Sequence, residues 1–165
     1  MQKGWLVGAL LAGLAACQTV PMTVDAVKQN TKVSYDPYDK MTTIEAPQIG
    51  LAGDTQYHLT RSYRFGMTLD MVSLAIFSSR WVDLYEAVDI DGVHLSYRNS
   101  LHTRYGRESV GEVLSIPLPE GYLQKHAASG LNIRVYGKRG QETIVMPPAY
   151  VQGFLAAVAQ VPLPR

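Results

Sequence analysis

The chain has 165 residues and a formal net charge of +1, with 47% hydrophobic and 18% charged residues, a composition typical of a globular protein. The near-neutral charge excludes the strongly basic surface of a general nucleic-acid-binding protein, so no nucleic-acid partner is expected. The single cysteine excludes an intramolecular disulfide and a cysteine-rich zinc site.

The first 16 residues have the pattern of a bacterial export signal. Residues 1–3 carry a positive charge on Lys3, and residues 4–16 form an apolar run that ends directly before Cys17. At 1.5 Å per residue this run extends about 20 Å as a helix, which is too short for a hydrocarbon core of about 30 Å. It therefore predicts a signal peptide over residues 1–16 and not a membrane span.

The end of this run, Leu14-Ala15-Ala16-Cys17, resembles the lipobox of bacterial lipoproteins. In that family the cysteine thiol is acylated, the chain is cut directly before it, and the new amino terminus is acylated too. The resemblance therefore implies covalent lipid on Cys17, which anchors the protein stably to a membrane, and no other cofactor. In lipoproteins of enteric-type bacteria, an aspartate directly after the acylated cysteine retains the protein in the inner membrane. Because Gln18 occupies this position, the resemblance implies that the protein is anchored in the outer membrane, at its periplasmic face. Anchoring in the inner membrane is the alternative. A plain secretory signal fits less well, because an Ala-x-Ala-like site would need alanine at position 14.

Cleavage before Cys17 would leave a tether and one domain. Residues 17–30 are predicted to be a lipidated tether, because they are polar and unpatterned and contain Pro21, although Val24 and Val27 could add to a sheet edge. Residues 31–160 are predicted to form a single β-rich domain, and residues 161–165 a tail.

From residue 31 onward, apolar and polar residues mostly alternate, which predicts β-strands. In chain order the predicted strands are residues 31–36, 41–46, 57–65, 69–77, 84–90, 93–97, 110–118, 131–136 and 141–146. The Asp-Pro-Tyr-Asp sequence at residues 36–39 and the Asp91-Gly92 pair predict hairpin turns. The strand at 69–77 is apolar on both faces apart from Asp70 and Ser73, so it is predicted to lie centrally.

Two short helices are predicted among the strands. One begins at Pro119 and ends before Gly130, and the other runs from Pro147 to about residue 160, with Gly153 allowing it to lie close to a sheet. The pattern predicts a mainly β fold, an antiparallel β-sandwich with two short helices, or alternatively an open antiparallel sheet backed by helices. The mature part of the chain, which ends in the segment 147–158 and a short tail, resembles uncharacterised β-rich lipoproteins of the bacterial envelope. This resemblance implies no activity and no site residue.

The motifs that would carry catalysis or metal binding have the wrong spacing. Residues 106–111 read G-x-x-S-x-G, one residue longer than a nucleophile elbow. Asp89 and Asp91 lack the further oxygen ligands of a calcium loop and predict a tight turn instead. His94 and His102 would lie about 26 Å apart on one straight strand. We therefore expect no metal centre, no catalytic residue and no enzymatic activity.

One segment is a candidate binding surface. Between residues 98 and 107 the sequence has five cationic or aromatic residues and no acid: Arg98, His102, Arg104, Tyr105 and Arg107. These residue types suit an anionic envelope component or another envelope protein; a solvated strand face is the alternative.

These features together predict a lipid-anchored envelope protein that is a non-enzymatic binding or structural accessory module. The alternative is a periplasmic hydrolase or small-ligand carrier whose site is built from dispersed residues. That alternative requires a concave pocket lined by titratable groups.

Overall fold

The computed structural model describes residues 22–50, 55–105 and 109–162, without the side chains of residues 99–101 and 105. In chain order its elements are α1 (Val24–Asn30), β1 (Lys32–Asp36), β2 (Met41–Glu45), β3 (Gln56–Arg64), β4 (Met67–Ser78), β5 (Leu84–Asp89), β6 (His94–Leu95), β7 (Arg98–Tyr105), β8 (Ser109–Leu118), α2 (Tyr122–Lys125), β9 (Leu131–Gly137), β10 (Gly140–Met146) and α3 (Pro148–Val158). None of the helices in these ranges is both long enough and apolar enough to cross a membrane.

The strands form two antiparallel sheets. The first has six strands in the order β1-β2-β3-β4-β8-β7, and the second has four in the order β10-β9-β5-β6. Leu59, Val72 and Leu114 of the first sheet share one buried hydrophobic cluster with Ile133 and Ile144 of the second. The predicted mainly β, sandwich-like fold is confirmed, and β4 lies centrally in its sheet as predicted.

The turns that the sequence predicted also form. Residues 37–40 join β1 to β2, and the Asp91-Gly92 turn joins β5 to β6, with Gly92 at φ +81°. A positive φ carries little strain in glycine, because glycine has no Cβ.

The segment between residues 93 and 105 differs from the prediction. Strand β6 pairs with β5 in the second sheet, whereas β7 pairs with β8 in the first. His94 and His102 therefore lie in different sheets, and the single straight strand assumed for them is wrong. The predicted helix at 119–130 is also shorter, because α2 has only four residues.

Part of the predicted tether is helical. Residues 24–30 form α1, in which Thr23 accepts a hydrogen bond from the Ala26 N–H at 3.2 Å and Val27 is fully buried. A Cβ at Gly153 of α3 would lie 2.6 Å from the Val24 backbone oxygen and 2.7 Å from the Val27 Cβ. Gly153 thus lets α3 approach α1, and not a sheet as predicted. A seven-residue helix is marginal alone in water, so α3 stabilises it.

Tyr150 ties α3 to the first sheet. Its side chain is fully buried, and its hydroxyl donates to the Pro47 backbone oxygen at 2.7 Å and accepts from the Leu59 N–H at 3.3 Å. Burial raises the pKa of this hydroxyl, so it stays protonated and keeps donating.

Tyr150→Phe should lower the free energy of unfolding by about 1–3 kcal/mol, because it leaves a buried backbone N–H without a partner. Tyr57→Phe is the matched control, since the Tyr57 hydroxyl bonds the Val145 backbone oxygen at 3.0 Å in a more exposed place; its loss should be about 0.5 kcal/mol. Urea unfolding of both variants measures the difference, and equal losses would contradict the role given to Tyr150.

Candidate functional site

The predicted binding residues lie on or beside β7, an edge strand of the first sheet. In register, Arg98 lies opposite Ser115, His102 opposite Glu112, and Arg104 opposite Val110. Side chains alternate between the faces of a strand, but a bulge between Asn99 and Leu101 shifts this alternation by one residue. His102 and Arg104 therefore share one face, and Arg98 lies on the other. The side chain of Tyr105 and the whole of Arg107 fall outside the described residues. The structure thus brings two of the five predicted residues together on one face.

His102 lies beside a buried carboxylate that the sequence did not single out. Its ring stacks on Trp81 with centroids 5.1 Å apart, and its Nε2 is 4.0 Å from Oε2 of Glu112. Glu112 is 2% exposed and accepts hydrogen bonds from the backbone N–H groups of residues 82–84. Because this one carboxylate accepts hydrogen bonds from three consecutive backbone N–H groups, it holds residues 82–84 against β8.

A cleft of about 460 Å³ opens between the β3–β4 hairpin and the loop before α2. Its wall contains Arg61 and Asp70, each 9% exposed. Asp70 accepts from Arg61 Nε at 2.5 Å and from Nη2 at 2.6 Å, a bidentate pair. The hydrogen bond to this carboxylate raises the pKa of the guanidinium. Because the two charges satisfy one another, Thr68, Glu120 and Gln124 are the polar side chains left to face the cleft.

A second group of titratable side chains gathers where the β5–β6 turn meets α2. One ring nitrogen of His126 and a carboxylate oxygen from each of Asp89 and Asp91 all lie within 4.8 Å of one another. Asp89 is 6% exposed; its Oδ1 accepts from the backbone N–H groups of Asp91 at 2.9 Å and Val93 at 2.8 Å. Its Oδ2 accepts from the Tyr122 hydroxyl at 2.9 Å.

These hydrogen bonds keep Asp89 ionised. Burial raises the pKa of Asp89, but the bonds from the Val93 N–H, the Tyr122 hydroxyl and the Asp91 N–H, together with the nearby His126, outweigh burial and lower this pKa below its usual value. Burial and the bond to Asp89 raise the pKa of Tyr122, so this hydroxyl remains a donor. The turn therefore presents a negative charge to whatever faces it.

His126, which lies beside this charge, has an unsatisfied nitrogen. The residue is 7% exposed, its ring lies 4.3 Å from that of Tyr122, and its Nε2 is buried with no hydrogen-bond partner among the described residues. Leaving a buried polar atom unpaired costs about 1–3 kcal/mol. The sequence predicted the turn but not this grouping, because only the fold carries His126 to Asp89.

Comparison with known proteins adds no relative. No family model matches the chain, and neither the curated proteins nor the solved structures contain a match.

Proposed function

We propose that the chain is a bacterial envelope lipoprotein, acylated at Cys17 and held at the periplasmic face of the outer membrane. There it acts without catalysis, as a structural module that associates with further copies of itself through β1. The Leu14-Ala15-Ala16-Cys17 motif supports the anchor. The open β1 edge of the six-stranded sheet supports the association.

The two edge strands of the six-stranded sheet, β7 and β1, differ in the features that hinder pairing with a further strand. Strand β7 has a bulge and carries Arg98 and Arg104, and bulges and charges are devices that protect an edge. Strand β1 pairs with β2 in unbroken register, with Val33 opposite the buried Ile44. Val33 is 53% exposed and Tyr35 58% exposed. An edge strand with apolar, exposed side chains is a site for adding another strand.

The sequence of β1 favours a second copy as the occupant of this edge. In an antiparallel pair of β1 strands centred on Ser34, Lys32 lies opposite Asp36 and Val33 opposite Tyr35. Opposite charges and aromatic–β-branched pairs across strands stabilise a sheet by about 0.2–1 kcal/mol each, and the twofold symmetry repeats each pair. Confinement to one membrane raises the effective concentration of such a weak contact.

Ser34→Cys tests this arrangement in the full chain, expressed in its own host. Mild oxidation of the membranes should give a disulfide-linked dimer, because the two Ser34 positions face each other in the symmetric pair. Asn132→Cys on β9 is the control, since this exposed position lies in the other sheet on a strand that pairs on both sides; it should stay monomeric. Adding Val33→Lys to Ser34→Cys should abolish the dimer by placing a charge at the paired face.

The anchor is tested in the same preparation. Adding Cys17→Ser should remove the acyl mass, release the chain from the outer-membrane fraction and reduce the dimer. Unchanged mass and fractionation would overturn the lipoprotein assignment. Equal crosslinking at positions 34 and 132, with the anchor intact, would overturn association through β1.

The cleft beside Arg61 supports a second candidate, a carrier of a small polar ligand. Among the described residues that line it there is no serine, cysteine or histidine, so the cleft favours a carrier over a hydrolase. A small molecule seen by native mass spectrometry of the chain purified from its host, and lost in Thr68→Trp, would favour this candidate.

A further inference from the structure

We propose that Asp89, Asp91 and His126 form a binding site for a divalent transition-metal ion such as Zn²⁺. The three side chains come from the β5–β6 turn and from the residue directly after α2, and their ligand atoms lie within 4.8 Å of one another. This inference is independent of the lipid anchor and of association through β1.

The buried nitrogen of His126 points to a ligand. Its Nε2 has no hydrogen-bond partner within the described ranges, although only 7% of the residue is exposed. Neither carboxylate therefore hydrogen-bonds this nitrogen, and buried polar atoms are otherwise almost always paired. A metal ion between the ring and the carboxylates would satisfy it, because a neutral imidazole nitrogen is a common metal ligand.

The two aspartates supply the remaining donors. Asp89 already accepts three hydrogen bonds, and since a carboxylate offers about four acceptor positions, one remains for an ion. Those bonds also fix the carboxylate, as outer-shell partners do in metal sites. Two carboxylates balance a divalent charge, and the imidazole favours zinc over calcium, which prefers oxygen ligands alone.

The site needs only a small contraction to close around an ion. Bonds of about 2.0–2.2 Å bring ligand atoms closer together than 4.8 Å. Asp91 can move inward, because its side chain is 56% exposed and its salt bridge to Lys125 Nζ, also exposed, is long at 4.0 Å. Its backbone N–H, and not its carboxylate, supports the turn.

Calorimetric titration of the full chain with Zn²⁺, in detergent and in a Cys17→Ser background that removes the thiol, tests the proposal. We expect one bound equivalent and a higher unfolding midpoint with zinc. Asp91→Asn and His126→Gln should each weaken binding by at least about tenfold, a loss that even outer-shell changes cause. His94→Gln is the control, because His94 Nδ1 contacts Glu86 at 2.9 Å on the surface; it should bind zinc as the parent does.

Folding of the variants is checked by circular dichroism and by the unfolding midpoint without metal. The exposed Asp91→Asn variant keeps the test decisive if His126→Gln is unstable. Binding that is unchanged in Asp91→Asn, or lost in His94→Gln, would overturn the proposal. So would Ca²⁺ binding at the same site with the same affinity as Zn²⁺ and no dependence on His126.

Discussion

Asp70→Ala should lower the free energy of unfolding by about 3–5 kcal/mol, because it leaves the buried Arg61 guanidinium without its partner. Arg61 and Asp70 are each 9% exposed and share two hydrogen bonds. Urea unfolding measures the loss. Asp39→Ala is the matched control: Asp39 bonds Arg64 at 3.0 Å, but the two side chains are 55% and 47% exposed, and such pairs contribute about 0–1 kcal/mol.

A double variant tests whether the loss of stability comes from the unpaired charge or from the altered packing at this place. Arg61→Met with Asp70→Leu removes both charges and fills a similar volume, so it should recover most of the stability that Asp70→Ala loses. A loss as large in Asp39→Ala as in Asp70→Ala would contradict the importance of burial.

Glu112→Ala should cost about 3 kcal/mol or more, because the backbone N–H groups of residues 82–84 all lose their hydrogen bonds to this buried carboxylate. Amide hydrogen exchange should accelerate at those three residues, and the fluorescence of the neighbouring Trp81 should shift to longer wavelength as its stacking on His102 loosens. The free energy comes from urea unfolding, as for Asp70.

Glu86→Ala is the control for Glu112, since it removes an acid that contacts His94 at an exposed place. Its cost should be about 0.5 kcal/mol. Exchange at residues 82–84 that stays slow in Glu112→Ala would show that another contact holds the loop.

The sequence pattern shows which strands carry Arg61 and Asp70 but not that the two side chains meet. Alternation in residues 57–65 places Arg61 on the same face as Leu59 and Tyr63, and Asp70 interrupts an otherwise apolar strand. The sequence did not assign a buried position to either residue, and their contact depends on the register of β3 against β4, which pairs them directly. That register follows from the tight turn at residues 65–66, and the prediction placed the strand ends too loosely to derive it.

Helix α1 illustrates what local sequence does not encode. Residues 24–30 contain only three apolar side chains. These are too few to form the apolar stripe that would predict a helix from the sequence. Val27 is buried by α3, and that contact exists because Gly153 has no Cβ. The stabilising partner therefore lies more than a hundred residues away along the chain.

The chain passes from the second sheet to the first between β6 and β7, and the sequence did not predict this change for a related reason. Alternation shows which side chains face inward but not which sheet a strand joins. Strands β6 and β7 are separated by two residues and lie in different sheets. The same limit applies to the Asp89–Asp91–His126 group, because the turn is local but His126 reaches it only through the packing of α2 on the second sheet.

Helix α1 also determines how the domain would bear a pulling force. With the proposed anchor at Cys17, tension from the membrane enters the described part of the chain directly before α1. This seven-residue helix packs mainly on α3 and belongs to neither sheet, so it should yield before the strands do. Its extension from about 1.5 to about 3.4 Å per residue would lengthen the chain by about 13 Å before β1 carried any load. Helix α1 would then act as a mechanical buffer between the lipid and the sheets.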